Sequence, residues 1–118
     1  MTISLDQAVV YDEECFPNLW TFHVESLYHD DKRVYEISEF RDDRHELRQL
    51  LNWLNQNQIP MIGFNNIGYD LPMLDMLWRN PQITYQEMYA KNQAIIGGSY
   101  EDRFAHTIWP RDWLAPQI

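Results

Sequence analysis

The chain has 118 residues, 45% of them hydrophobic and 14% aromatic, which provides enough apolar surface for one compact core and not for two. Eighteen acidic residues against nine basic ones give a net charge of −9, which argues against indiscriminate binding to a phosphate backbone. No apolar run reaches the roughly 18 residues of a membrane span, and the single cysteine, Cys15, excludes an internal disulfide and a cysteine-rich zinc site.

These properties predict one domain over residues 1–118 and a reducing, cytoplasmic setting.

Three strands are predicted in the first 40 residues. Residues 7–15, with the sequence QAVVYDEEC, pass from apolar to acidic side chains, as a buried strand does where it reaches the rim of a sheet. Residues 19–28 and 34–37 are rich in strand formers on either side of a polar break, which indicates a hairpin. The three segments together predict an antiparallel meander.

The next segments change from strand to helical spacing. Leucines recur at helical intervals in residues 43–57, and Asp42 or Asp43 can cap that helix. A short apolar run at residues 59–64 indicates an interior strand, and Pro72 is placed near the start of a further helix.

The final third is predicted to be a helical or irregular extension, residues 81–118. A helix is expected over residues 83–96, stopped by Gly97 and Gly98. The tail from residue 99 has little periodicity.

Two acidic residues of the first strand are candidates for chemistry. Asp12 and Glu14 leave the same face of a strand, with backbones roughly 7 Å apart, and such close carboxylates repel unless a cation or solvent separates them. One interpretation is a solvated strand end. The other is a pair of ligands, because Ala8 and Val10 precede them on that face and a carboxylate after a buried apolar stretch needs a compensating cation.

A second candidate group lies in the segment GFNNIGYDLPML. Asp70 has an ordinary interpretation as the N-cap of the helix that starts at Leu71, although Met73 stands where a capping box would have an acid or amide. The alternative is a metal ligand, and the two roles are compatible. A helical crossover would place the strand at 59–64 parallel to the first strand, so that Asp12, Glu14 and Asp70 converge at one rim of the sheet.

These residues carry a resemblance to a known family. The segment YDEECFPNLWTF resembles motif I of DEDD-type (RNase H-like) 3′-to-5′ exonucleases, in particular phage-encoded ones in which Phe-Pro-Asn follows. The segment IGFNNIGYDLPML is similar to motif II, Asn-x-x-Tyr-Asp, with Asn66, Tyr69 and Asp70 in the matching places. Motif III, a Tyr or His shortly before a final Asp, is not found, because Asp102 and Asp112 lack that context. The resemblance covers about residues 7–80.

The resemblance implies an α/β, RNase H-like fold, present in part: the meander, a helix, a parallel strand and further helices. It implies phosphodiester hydrolysis by two divalent ions, Mg²⁺ or Mn²⁺, for which oxygen ligands are suited. Asp12 would bridge both ions, Glu14 would bind the ion that activates water, and Asp70 would support the second ion.

The implied substrate is the single-stranded 3′ end of DNA, as in a phage exonuclease or the proofreading part of a DNA polymerase. The residues that would contact it are Phe16, Asn66 and Tyr69. Because motif III is missing, we expect little or no hydrolysis by this chain alone.

The alternative is a catalytically inactive, acidic binding module, such as a small phage protein that blocks a basic nucleic-acid-binding surface of a host defence complex. Either protein would act in the cytoplasm of a bacterial or phage-infected cell. The net charge favours the binding module, and the preserved carboxylates favour the nuclease. No membrane partner is expected. Among the other residues, Trp20, Trp53 and Trp78 are predicted in the core, and Cys15 as a small buried residue.

Overall fold

The computed structural model describes residues 7–98 and 104–118. None of the helices in these ranges combines the length and the apolar character needed to cross a membrane. In chain order the elements are β1 (Val9–Phe16), β2 (Leu19–Ser26), β3 (Lys32–Ser38), α1 (Arg44–Asn57), β4 (Met61–Ile62), a π-helical turn (Asn66–Asp70), α2 (Leu71–Arg79), α3 (Tyr85–Ile96) and a 3₁₀ turn (Pro110–Asp112).

The described strands form one mixed sheet in the order β3-β2-β1-β4. β1, β2 and β3 pair antiparallel, which confirms the predicted meander. β4 pairs parallel to β1, with Met61 opposite Val9 and Ile62 opposite Val10, as the predicted crossover requires. The fourth strand is shorter than the apolar run at 59–64 suggested. The result is an α/β fold with three antiparallel strands and one parallel strand in the part of the chain described.

The core lies on one face of the sheet, where alternate strand residues meet the helices. The residues of β2 that its alternation predicts as buried are buried, and so is Thr21 on the other face. The leucines of α1 are buried as their spacing predicts. Trp20 is fully buried, and Trp53 and Trp78 pack partly buried against the same core. The core residues contributed by these two elements are Trp20, Phe22, Val24, Leu47, Leu50, Leu51 and Leu54.

The face of β1 that the sequence suggested as buried is exposed in the structure, and the opposite face packs against the core. Val10 is 39% exposed and Phe16 is 48% exposed, so the face that Asp12 and Glu14 share is turned away from the helices. The inference that these carboxylates follow a buried apolar stretch is therefore wrong, although Ala8 itself is buried. The residues of β1 that enter the core face are Val9, Tyr11 and Glu13.

The helix ends agree with the predicted ones to within two residues. Asp42, not Asp43, serves the start of α1, because its carboxylate accepts a hydrogen bond from the Arg44 N–H at 3.1 Å. Asp43 instead accepts from the backbone N–H of Glu36. α3 begins at a capping box formed by its N-cap Thr84 and by Glu87 of its first turn. It ends before Gly97, which confirms the predicted stop.

The end of the chain, predicted to be irregular, pairs with β4. The Met61 N–H donates to the Pro116 carbonyl at 2.8 Å, and the Ile118 N–H donates to the Met61 carbonyl at 2.9 Å. These bonds add a short parallel bridge to the sheet edge and bring Gln117 against the core. Asp102 lies outside the described residues.

Candidate carboxylate site

Three acidic residues, from β1 and from the π-helical turn that follows β4, influence one another's pKa values. β4 pairs with β1 at Val9 and Val10, and the π-helical turn contacts β1 beyond that pairing. The turn ends at Asp70, whose charge is coupled to those of Asp12 and Glu13. We refer to Asp12, Glu13 and Asp70 as the carboxylate corner.

The backbone before the π-helical turn depends on residues that tolerate unusual geometry. Asn65 adopts a left-handed conformation, with φ of 54°, which asparagine accepts more readily than most residues. A Cβ added to Gly63 would lie 2.8 Å from the Cβ of Asn66, so a larger residue there would displace the turn. π-helical turns occur often at functional sites. The local sequence therefore forms a specific turn that carries Asp70.

Asn66 is buried and holds the turn in place. Its side-chain N–H donates to the Oε1 of Gln117 at 3.0 Å, and the Tyr11 hydroxyl donates to the same oxygen at 2.6 Å. Asn66 was predicted to contact substrate, but this position joins the turn to β1 and to the end of the chain. Gln117 was missed by the sequence analysis, and a lone amide in an apolar tail is a weak signal for it.

The other two residues predicted to contact substrate lie in different surroundings. Tyr69 is half-buried and its hydroxyl donates to the side-chain oxygen of Asn92 in α3. Burial raises the pKa of Tyr69, and the charges of the neighbouring Cys15 and Glu13 act in the same direction. Phe16 is exposed at the end of β1. Of the three, Phe16 presents the most surface to solvent.

Asp70 is buried, with 4% of its surface exposed, inside a continuous helical segment. Its backbone is helical, with φ of −62° and ψ of −42°, and it makes no capping hydrogen bond within the residues described. An N-cap residue has a non-helical backbone, so the N-cap interpretation is wrong. Burial raises the pKa of Asp70 to about 7, and the negative charge of Asp12 contributes in the same direction.

Glu13 was missed as a candidate, and the structure places it on the same face of β1 as Val9 and Tyr11. It is 6% exposed, and neither of its carboxylate oxygens accepts a hydrogen bond from any described residue. Burial raises the pKa of Glu13 well above its usual range, Asp70 raises it further, and the nearby indole N–H of Trp20 acts in the opposite direction without reaching hydrogen-bonding geometry. A buried ionised carboxylate without a partner is costly.

Glu14 leaves β1 on the same face as Asp12. It is exposed on the outer face of the sheet, opposite Thr21 of β2. Of the two outer-face carboxylates in motif I, Asp12 is the one whose charge raises the pKa of Asp70. Of the three predicted ligands, Asp12 and Asp70 are therefore electrostatically coupled to each other, and both act on the pKa of Glu13.

Across residues 7–98 and 104–118, no three His, Cys, Asp or Glu side chains are arranged to hold a metal ion. Mg²⁺ usually keeps several waters and is bound through one or two carboxylates, so Asp12 and Asp70 are a sufficient pair for a single hard cation.

Comparisons with protein-family models, with curated proteins and with solved structures found no match to this chain. The resemblance to exonuclease motifs therefore rests on the residues of the two motifs themselves. The electrostatics add that Asp12, from one motif, helps to raise the pKa of Asp70, from the other.

Proposed function

We propose that this chain is the two-motif portion of an RNase H-like exonuclease core, and that it binds one Mg²⁺ or Mn²⁺ ion through Asp12 and Asp70. The observation that carries the proposal is the coupling between these two carboxylates, which are distant in sequence and would repel each other without a cation. The meander followed by a parallel strand supports it, because that order brings the ends of β1 and β4 to one side.

The reaction class is 3′-to-5′ phosphodiester hydrolysis on single-stranded DNA. Two bound ions would supply an activated water and stabilisation of the leaving oxygen. In this chain Asp12 and Asp70 would hold one ion, and Glu14, by the resemblance, would serve a second. Exposed Phe16 would stack on a terminal base. The final acid and the Tyr or His of motif III are not found in the sequence, so we expect the chain to hydrolyse DNA weakly or not at all.

Calorimetric titration with Mn²⁺ tests the cation site. Replacing Asp12 or Asp70 by Asn is expected to weaken binding by about tenfold or more, since each change removes a charged ligand. Asp30→Asn is the matched control, because it removes the same charge from an exposed residue in the β2–β3 loop. Equal affinity in all four proteins would contradict the site.

A nuclease assay tests whether the catalytic site of this chain is incomplete, as proposed. Wild-type chain incubated with single-stranded DNA and Mn²⁺ is expected to leave most of the substrate intact. Robust digestion that disappears in Asp12→Ala would mean that the chain assembles a full catalytic site without a recognisable motif III.

A second candidate function is an acidic binding module for a basic protein surface in the cytoplasm. The net charge of −9 favours it, and so does the outer sheet face, where Asp12, Glu14 and Glu25 are exposed. Lys32 on that face already pairs with Glu25 at 3.8 Å. Binding to a basic protein that weakens steeply with salt and persists in Asp70→Asn would favour this role over the nuclease.

A further inference from the structure

One of the two lysines of the chain lies against a histidine that is distant from it in sequence. Lys91 belongs to α3, and it follows the buried Met88 by three residues, so it lies at the border of the buried side of that helix. The Lys91 Nζ is 2.8 Å from the His106 Nδ1. The Thr107 N–H donates to the Phe104 carbonyl at 3.2 Å and closes a turn that contains His106. The fold therefore brings an amine and an imidazole within hydrogen-bonding distance.

The amine of Lys91 forms no ion pair with any residue in the part of the chain that the structure describes. Asp75 acts on it electrostatically, but the carboxylate of Asp75 already accepts hydrogen bonds from the Arg79 Nε at 2.9 and 3.0 Å. Burial lowers the pKa of Lys91, and the charge of Asp75 opposes this shift without cancelling it. More of this amine is therefore neutral than in an ordinary lysine, and the neutral amine is the nucleophilic form.

His106 is placed to receive a proton from this amine. An ammonium group has no lone pair, so the His106 Nδ1 is the acceptor of the hydrogen bond whenever Lys91 is charged. A nucleophile within hydrogen-bonding distance of a base is the arrangement that activates side chains for covalent chemistry. Transfer of the proton to His106 leaves the Lys91 amine free to attack.

We propose that Lys91 is a nucleophilic amine that forms an imine with an uncharged aldehyde, with His106 as the proton acceptor. A carbonyl compound is the class of ligand because lysine amines form Schiff bases with carbonyl groups. The net charge of −9 and the buried carboxylate of Asp75 disfavour an anionic aldehyde. The proposal does not depend on the cation site of Asp12 and Asp70.

The reaction needs only the aldehyde and the two side chains. The Lys91 ammonium gives one proton to the His106 Nδ1, and the lone pair of the neutral amine forms a bond to the carbonyl carbon. A second proton moves from the nitrogen to the carbonyl oxygen, which gives a carbinolamine. The protonated His106 returns its proton to the hydroxyl group, and the carbon–oxygen bond breaks to release water. The products are a protonated imine on Lys91, one water molecule and neutral His106.

Reductive labelling with propanal tests the nucleophile. The wild-type chain is incubated with propanal and sodium cyanoborohydride at pH 7, which reduces any imine to a stable secondary amine, and peptide mapping by mass spectrometry measures the label on each lysine. Lys32 is the matched control in the same chain, because its side chain is 70% exposed and it is the other lysine. We expect Lys91 to be labelled at least about threefold faster than Lys32, since more of its amine is neutral. Equal labelling, or faster labelling of Lys32, would overturn the proposal.

Two further comparisons test the base and the charge of the ligand. His106→Gln keeps a hydrogen-bond acceptor but removes the base, so the labelling rate of Lys91 should fall towards that of Lys32, whereas His45→Gln, at an exposed position of α1, should leave it unchanged. An unchanged rate in His106→Gln, shown to be folded by circular dichroism, would overturn the role of His106. Glyoxylate, an anionic aldehyde, should give a lower ratio of Lys91 to Lys32 labelling than propanal does. An equal ratio would contradict the preference for an uncharged ligand.

Discussion

The two ends of the core face of β1 differ in how their polar groups are satisfied. At one end, Val9 packs beside β4 and the Tyr11 hydroxyl donates to Gln117 at 2.6 Å. Two residues further along the same face, the oxygens of Glu13 receive no hydrogen bond within residues 7–98 and 104–118, and Asp70 adds a second buried carboxylate. The hydrogen bonds at the Tyr11 end of the strand therefore stabilise the fold. The unpaired carboxyl group at the Glu13 end destabilises it, and this end is the better candidate for function.

Removing the Gln117 oxygen, which accepts hydrogen bonds at the Tyr11 end of β1, should change the free energy of unfolding the most. Gln117→Leu leaves the buried donors of Tyr11 and Asn66 without their acceptor, which we expect to lower the free energy of unfolding by about 2–4 kcal/mol. Urea denaturation measures it. The control is Gln49→Leu, at an exposed position of α1, with an expected change below about 0.5 kcal/mol. Equal stability of the two variants would mean that the Gln117 contacts contribute little.

Removing the carboxylate at the other end should act in the opposite direction. Glu13→Leu replaces an unpaired buried carboxyl group by an apolar side chain of similar volume, so the free energy of unfolding should rise by about 1–3 kcal/mol at pH 7 without divalent ions. Glu14→Leu, its neighbour on the outer face, should not stabilise the chain. A loss of stability in Glu13→Leu would show that Glu13 supports the fold, and the contrast between the two ends would fail.

The pH dependence of the free energy of unfolding tests the same contrast between the two ends of β1, and the expected change is smaller. The pKa of Asp70 is raised from 3.8 to about 7, so the folded state binds this proton more tightly than the unfolded state. Its contribution to stability is therefore fully present below about pH 4 and is lost as the pH rises through 7. The free energy of unfolding should fall over that interval, and the fall should be smaller in Asp70→Asn. An identical pH profile in the variant would contradict a raised pKa at this residue.

Much of the fold followed from the sequence because its signals are periodic. The alternation of Trp20, Phe22 and Val24 identified the buried face of β2, and the leucine spacing identified α1. The parallel pairing of β4 followed from the general handedness of crossovers. These signals depend on residues that are close in sequence, so they can be recognised without knowing which distant residues are in contact.

The orientation of β1 could not be predicted in the same way. Val9 and Val10 are both apolar, and Asp12 and Glu13 are both acidic, so the strand has no alternation of its own. Its pairing with β2 decides the face, because Tyr11 lies opposite Val24, a core residue. The sequence alone suggested that the other face is buried, and Glu13 was therefore not identified as a candidate.

The contacts of the π-helical turn also could not be predicted from local sequence patterns. Asn66 binds Gln117, which belongs to a segment with no strand or helix periodicity. Asp70 looked like an N-cap because Pro72 follows it, but the preceding turn is already helical and continues into α2. Long-range hydrogen bonds and a π-helical turn leave no regular spacing in a sequence.

The coupling between Asp12 and Asp70 is tested most directly by a carboxyl-detected NMR titration of Asp70. In the wild-type chain without divalent ions, the titration midpoint should lie near pH 7, in accord with the pKa of about 7. In Asp12→Asn it should move to lower pH, because a neighbouring negative charge has been removed, whereas Asp30→Asn should leave it in place. A wild-type midpoint near 4, or the same midpoint in Asp12→Asn, would mean that the two motifs do not share a site.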